Sequence, residues 1–261
     1  MRVLLINPPY TRLKGLGQAP AFPLGLGYIA SILRQNGVET MIYQAENPRM
    51  KGETLNTEAD ATYRFRSLSE RRYQSIIADD SHFVWREVMN SLQSFKPNVV
   101  GISLLSPMVA SALKISRLCK IYNEDCAVVW GGVHPTFLPD QCLRYDAVDF
   151  VVRGEGEYSL LELCNVLSKK EQLLSVKGLS FKVDGRVFHN PKRELIDNLD
   201  ELPFPARDAV LYPDSFDFKS LGSMIISRGC PFRCSFCSSR NFWEKRERFR
   251  SPENIIREIQ M

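Results

Sequence analysis

Up to Leu167, the hydrophobic and polar positions of the chain alternate between two patterns. Short runs that are apolar throughout are typical of strands covered on both faces, and apolar positions three or four residues apart are typical of helices. The runs predict strands at Arg2–Asn7, Glu39–Tyr43, Val99–Leu104, Ala127–Trp130 and Phe150–Val152. The helical stripes lie at Leu24–Gln35, Phe83–Phe95, Met108–Tyr122, Leu138–Leu143 and Tyr158–Leu167. This alternation predicts an α/β fold with a doubly wound parallel sheet.

Two segments depart from this alternation. Residues 46–80 are polar, charged and weakly periodic, and we expect them to form an insertion or a mobile loop. Leu179–Val183 and Arg186–Phe188 lie on either side of Asp184-Gly185, a dipeptide typical of tight hairpin turns. The chain is therefore predicted to form a β-hairpin here.

A change of composition marks the end of this first domain. Residues 191–218 are rich in proline, aspartate and aromatic side chains, which predicts an ordered linker. Met224–Ser227 is an apolar run of strand type, and Ser251-Pro252-Glu253 is typical of a helix start with proline at the first position. We assign an α/β domain to residues 1–190, a linker to 191–220 and the start of a second domain to 221–261.

The composition excludes some classes of protein. The chain is 44% hydrophobic and 25% charged, and its net charge of +4 is too small to indicate a nucleic-acid partner. No apolar run approaches the ~20 residues of a membrane span, and the N-terminus is typical of a strand instead of a signal peptide. Seven cysteines without a secretion signal indicate the reducing cytoplasm. Four of them lie singly in apolar surroundings and are expected to be buried: Cys119, Cys126, Cys142 and Cys164.

The strongest chemical signal is a loop with three further cysteines. Cys230, Cys234 and Cys237 have C-x3-C-x2-C spacing, and no cysteine or histidine follows them in the sequence. A structural zinc site or a simple electron-transfer cluster takes four protein ligands. Three ligands in one loop therefore favour a [4Fe–4S] cluster with one iron open to a substrate. With Phe236 before the third cysteine, the loop resembles the cluster-binding signature of the radical S-adenosylmethionine (SAM) enzymes.

The loops that follow the predicted strands contain a second pattern. In a doubly wound sheet the ligand lies at the carboxyl ends of the strands. The sequence has no G-x-G-x-x-G after the first strand and no G-x4-G-K-[ST], which argues against a dinucleotide or a nucleoside triphosphate. Ser103-x-Leu105 and Gly131-Gly132, which are separated by 25 residues, resemble two of the cobalamin-binding signatures of flavodoxin-like corrinoid domains. An ordinary set of α/β loops remains the alternative.

A corrinoid-type domain ahead of a three-cysteine loop resembles the layout of the cobalamin-dependent radical SAM family. That family includes the class B methyltransferases and the anaerobic magnesium-protoporphyrin ester cyclases. The resemblance implies that Cys230, Cys234 and Cys237 hold the cluster and that Phe236 contacts SAM. It also implies a set of cobalamin-binding residues, namely Pro8, Pro9, Ser103, Leu105, Gly131, Gly132, His134, Gly154, Glu155 and Gly156.

One departure from the family pattern concerns the cobalt. The loop after the first strand, Asn7–Arg12, lacks the D-x-H-x-x-G in which a histidine would bind cobalt. The resemblance is therefore to members without a protein histidine on cobalt, or to one that has lost cobalamin. Packing or ordinary hydrogen bonding is the alternative for His134, and Glu155 either contacts the cofactor or caps the following helix.

The resemblance implies a function for the full-length protein. Its cluster would cleave SAM to a 5′-deoxyadenosyl radical, and its cobalamin would serve C-methylation of an unactivated carbon in a small-molecule substrate. The alternatives are an oxidative cyclase of the same family and a non-catalytic cobalamin-binding or carrier module. An electron donor such as flavodoxin or ferredoxin is implied as a partner.

The second domain is expected to be the first β/α unit of a partial TIM barrel that needs roughly 150 further residues. The chain is therefore expected to be an inactive fragment.

Overall fold

Seven strands form one sheet in the residues that the computed structural model describes, which are 1–16, 21–47, 63–167, 170–216 and 218–261. The strands are β1 (Arg2–Asn7), β2 (Glu39–Gln44), β3 (Val99–Ser103), β4 (Ala127–Gly131), β5 (Phe150–Val152), β6 (Leu179–Val183) and β7 (Arg186–His189). They are ordered β2-β1-β3-β4-β5-β6-β7, and the first five are parallel. The predicted α/β fold is confirmed. The predicted hairpin is also confirmed, and it extends the same sheet in antiparallel pairing.

Helices cover both faces of the parallel strands. The helices are α1 (Leu24–Gln35), α2 (Tyr63–Ala78), α3 (Phe83–Phe95), α4 (Val109–Tyr122), α5 (Val133–Phe137), α6 (Pro139–Leu143), α7 (Glu157–Val166), α8 (Phe218–Leu221), α9 (Ser239–Phe242) and α10 (Pro252–Ile259). Within the described ranges, no helix combines the length and the apolar character that a membrane span requires.

The strand β1 shows why these apolar runs form the centre of the sheet. Val3 and Leu5 pack into the core formed with α1 and α7, whereas Leu4 and Ile6 pack into the core formed with α3 and α4. Successive side chains of a strand point to opposite faces, so a strand between two helical layers must be apolar at every position. The strand order reverses between β1 and β3, and ligands bind beyond the carboxyl ends of the strands at such a reversal.

For residues 46–80 the sequence predicts an insertion or a mobile loop, and a loop is wrong for the second half of this range. Residues 48–62 lie outside the described residues, but Tyr63–Ala78 forms α2. Tyr73 and Ile76 of this helix are buried in the core shared with α3 and α4. Charged side chains surround these few apolar positions in the sequence. The helix therefore depends on tertiary packing, and its periodicity was too weak to predict it.

The segment after residue 220 differs from the prediction in its first strand. The strand expected at Met224–Ser227 is wrong in position, because β8 is formed by Ser227–Gly229. It pairs antiparallel with β9 (Glu247–Phe249), and these two strands form a ribbon separate from the main sheet. The helix start at Ser251 is confirmed, since its hydroxyl accepts a hydrogen bond from the backbone N–H of Asn254.

The four isolated cysteines are buried, as the sequence predicts. They are free thiols and belong to the two cores of the sheet domain. Burial raises the pKa of Cys126 to about 11 and that of Cys142 and Cys164 to about 12. A neutral thiol is a poor metal ligand, so these side chains serve packing.

Candidate functional site

A cavity of about 500 Å³ lies at the carboxyl edge of the sheet. One wall is formed by the ends of the parallel strands and the loops after them. The opposite wall is formed by β8 and by the segment that follows the cysteine loop, including Arg228, Gly229, Phe242 and Trp243. Its surface is mostly apolar, and its volume is in the range of small-molecule and cofactor sites.

Glycines give the cavity its shape. Seven of them line it, namely Gly25, Gly101, Gly131, Gly132, Gly154, Gly156 and Gly229. Gly132 has a φ of +95°, and a Cβ atom there would lie 3.0 Å from the carbonyl oxygen of Leu104 and 3.1 Å from the Ser103 hydroxyl. The loops after β3 and β4 can therefore approach each other this closely only with glycine at position 132. The resulting wall can accept a flat ring at close range.

The structure brings six of the ten residues predicted to bind cobalamin to this cavity. They are Ser103, Gly131, Gly132, Gly154, Glu155 and Gly156. The other four do not line it: Pro8, Pro9 and His134 are buried, and Leu105 is 49% exposed outside it.

The His134 side chain points into the protein. Its Nδ1 atom lies 3.0 Å from the Ser106 hydroxyl, and its Nε2 atom is buried without a partner among the described residues. Burial lowers the pKa of His134 below its ordinary value. This environment suits a neutral imidazole that holds the loop after β3 against α5.

We expect His134 to make the stability of the protein dependent on pH. Its pKa is lower in the folded chain than in the unfolded chain, so the unfolded chain binds more protons as the pH falls below about 6.5. Stability conferred by the neutral ring should be complete above that pH and decline below it. Thermal unfolding at pH 7.5 and 5.5 should show a smaller acid-induced decrease in His134→Asn than in the parent chain. Equal decreases would contradict this role.

Glu155 and Glu157 form buried ion pairs with the ribbon. The Glu155 carboxylate accepts hydrogen bonds from Arg228 and Arg248, each at 2.9 Å. Glu157 lies 2.7 Å from Nη2 of Arg228. Burial alone would lower the pKa of Arg228, but the two carboxylates outweigh it and raise the pKa above its ordinary value. Sequence reasoning missed both arginines as site residues, because only the fold brings them to the loop after β5.

The three cysteines that follow β8 lie outside the buried core. Cys230 and Cys237 are partly buried, Cys234 is exposed, and Phe236 is 91% exposed. Hydrogen bonds from Ser239 lower the pKa of Cys237, which favours the metal-binding thiolate. No cluster of three or more potential metal ligands is assembled in the described part of the chain, so the three sulfur atoms are not gathered. The donor set fits an iron–sulfur cluster chemically, since all three thiols are free and outside the core.

The sheet and its glycine-lined edge define a cofactor-binding domain of the doubly wound class. Residues 18–164 match the family described as the B12 binding domain. The match covers more than half of the 261 residues, and the chain belongs to this family.

Two curated proteins illustrate the similarity of sequence. The chain is 34% identical over 263 residues to an uncharacterised methyltransferase of Pyrococcus horikoshii, covering 99% of this chain and 50% of that protein. It is 29% identical over 184 residues to the anaerobic magnesium-protoporphyrin IX monomethyl ester cyclase of Rubrivivax gelatinosus, covering 67% of this chain and 33% of that protein. The chain thus spans half or less of these curated relatives.

The fold also matches a solved structure of a cobalamin-dependent protein. The cobalamin-dependent S-adenosylmethionine radical enzyme OxsB, with aqua-cobalamin and S-adenosylmethionine bound, aligns with a TM-score of 0.70 at 24% identity. The alignment covers 99% of this chain and 31% of that chain. This similarity shows that the two share a fold.

Proposed function

We propose that this chain belongs to a cobalamin-dependent radical SAM enzyme that methylates an unactivated carbon of a small molecule. One observation carries the proposal: the ribbon that leads into the three-cysteine loop forms a wall of the glycine-lined cavity. A cofactor in the cavity and a cluster on the loop would therefore be neighbours. The methyltransferase relative and the shared fold with OxsB support this combination.

The cavity residues suit the nucleotide tail of cobalamin. Ser103, Gly131 and Gly132 would hold it from the loops after β3 and β4, and Gly154 and Gly156 from the loop after β5. The Gly154 backbone has a φ of +78°, and no atom of the described residues lies near the position that a Cβ atom would occupy. Without a side chain at this position, the wall leaves room for a ligand on this side too. When bound, cobalamin supplies a transferable methyl group.

The cysteine loop suits a [4Fe–4S] cluster that also binds SAM. Cys230, Cys234 and Cys237 would ligate three irons, and the exposed ring of Phe236 would contact SAM. When bound, the cluster supplies the electron that cleaves SAM into methionine and a 5′-deoxyadenosyl radical. The protein's own part is to position the loop and to exclude water. An electron donor such as flavodoxin or ferredoxin and a cytoplasmic location belong to the same proposal.

Two alternatives make different predictions. The Rubrivivax gelatinosus relative is a cyclase, so an oxidative ring closure is the second enzymatic candidate. A cyclase would not transfer an isotopically labelled SAM methyl group to the product, whereas a methyltransferase would. A non-catalytic carrier would bind cobalamin but no iron.

Anaerobic titration of this chain with cobalamin tests the first half of the proposal. We expect saturable binding and a visible spectrum of the base-off type, because His134 points away from the cavity and Asn7–Arg12 contains no histidine. Reconstitution with iron and sulfide then tests the second half. Absence of binding at high micromolar cobalamin, with the sheet folded, would overturn the role of cobalamin. Binding of cobalamin without iron would favour the carrier.

A further inference from the structure

The β8–β9 ribbon is too small to be stable without contacts to the rest of the protein. It consists of three residue pairs, and Arg228 lies directly opposite Arg248. Isolated two-stranded ribbons are marginal in water, and like charges directly opposite each other destabilise a strand pair. The ribbon must therefore be held by groups outside it.

Glu155 provides that attachment from the loop after β5. Its Oε1 atom accepts from Nη1 of Arg228, and its Oε2 atom accepts from Nη1 of Arg248, both at 2.9 Å. Oε2 also accepts from the backbone N–H of Ile196 in the linker at 2.7 Å. The residue is only 6% exposed. One buried carboxylate thus joins the sheet domain, the linker and both strands of the ribbon.

The two arginines depend on Glu155 to different degrees. Arg228 is also paired with Glu157 and lies 5.1 Å from the ring centre of Tyr28. The described contacts of the Arg248 guanidinium are Glu155, the carbonyl oxygen of Ile196 and the ring of Trp243. Its Nε and Nη2 atoms are buried without described hydrogen-bond partners. Loss of the Glu155 charge would leave Arg248 as a buried, uncompensated cation, which is strongly unfavourable.

The attachment acts close to the first cysteine. Gly229 separates Arg228 from Cys230 and has a φ of +115°. A Cβ atom at Gly229 would lie 1.8 Å from the carbonyl oxygen of Arg246, so the ribbon backbone is tightly packed at this exit. The place where Arg228 is anchored therefore determines where the cysteine loop starts relative to the cavity.

We propose that Glu155 is a positioning residue that holds the cysteine loop over the cavity by pairing with Arg228 and Arg248 together. This role matters for catalysis only if the proposed function holds, but the docking itself requires neither cofactor. It assigns Glu155 to the interface between the two domains instead of to direct contact with cobalamin.

Hydrogen exchange of the whole chain without cofactors tests the proposal. In Glu155→Gln, the protected amides of Ser227–Gly229 and Glu247–Phe249 should exchange at least tenfold faster, while those of β1, β3 and β4 stay unchanged. Glu157→Gln is the matched control and should change ribbon exchange much less, because Glu155 still accepts hydrogen bonds from both strands and Arg248 keeps its carboxylate partner. Unchanged ribbon exchange in Glu155→Gln would overturn the proposal. Faster exchange throughout the parallel sheet would also overturn it, since Glu155 would then support the entire sheet domain.

A rescue variant shows whether Glu155→Gln acts through the lost negative charge or through the changed shape of the side chain. Combining Glu155→Gln with Arg248→Met removes the uncompensated cation and should restore most of the protection of the ribbon. Equal exchange in the single and double variants would refute the charge-based mechanism. Because no cofactor is added, failure of this experiment is distinguishable from failure of cobalamin or iron binding.

Discussion

Replacing Cys230, Cys234 and Cys237 together by alanine should abolish iron uptake during anaerobic reconstitution. The parent chain is expected to take up about four irons with matching sulfide, because a [4Fe–4S] cluster is held by cysteine thiolates. These three thiols lie outside the core, and Ser239 favours the thiolate form of Cys237. Iron and sulfide analysis after removal of excess reagents measures the effect. Cobalamin binding should be unaffected, since the cavity glycines remain.

The buried cysteines offer a matched control for this experiment. The triple variant Cys126→Ala, Cys142→Ala and Cys164→Ala removes the same number of thiols from the core, where burial raises their pKa values. It should retain the iron content of the parent. Parent-like iron in the loop variant, or equal loss in both variants, would contradict assignment of the cluster to the loop.

Gly132→Ala should weaken cobalamin binding by about tenfold to a hundredfold. Its φ of +95° belongs to a backbone region that only glycine adopts easily, and other residues there cost of order 1–3 kcal/mol. The added Cβ would also meet the Leu104 backbone at 3.0 Å and push apart the loops after β3 and β4. The loops would move apart to relieve this strain, and restoring the binding geometry would cost about the same free energy, which corresponds to the stated loss of affinity at tenfold per 1.4 kcal/mol. Equilibrium titration monitored by the cobalamin spectrum provides the measurement.

Gly37→Ala is the control for backbone strain alone. Gly37 has a φ of +77°, lies in the turn between α1 and β2, and has open space where a Cβ atom would lie. This variant should lose stability without losing cobalamin affinity. Parent-like affinity in Gly132→Ala would show that the close approach of the two loops is not needed for binding.

Prediction from the sequence succeeded where local patterns carry the information. Strands such as Val99–Ser103 are apolar at nearly every position because both faces are covered, and this pattern is visible without a structure. The helix Tyr63–Ala78 was missed because tertiary contacts of Tyr73 and Ile76 compensate for a weak stripe. The start of β8 was misplaced because a three-residue strand is defined by its partner and not by its own composition.

In the candidate site, too, some features follow from sequence motifs and others depend on tertiary packing. The three-cysteine spacing and the glycines after β4 and β5 are short motifs, and the strand order alone places their loops at one edge of the sheet. His134 belongs to such a motif too, but packing against Ser106 turned it away from the cavity.

By itself, the sequence determined the parallel α/β sheet, the loops that meet at its carboxyl edge and the thiols available to a metal cluster. Only the tertiary structure decided what Glu155 does. Its partners Ile196, Arg228 and Arg248 lie 41, 73 and 93 residues away along the chain. Hydrophobic periodicity reflects the local environment of each element, and so it can be recognised in neighbouring residues. Ion-pair partners meet only when segments that are distant in sequence pack against each other. In the low dielectric of a buried interface the interaction between charges is strong, so an unpaired charge there is unfavourable.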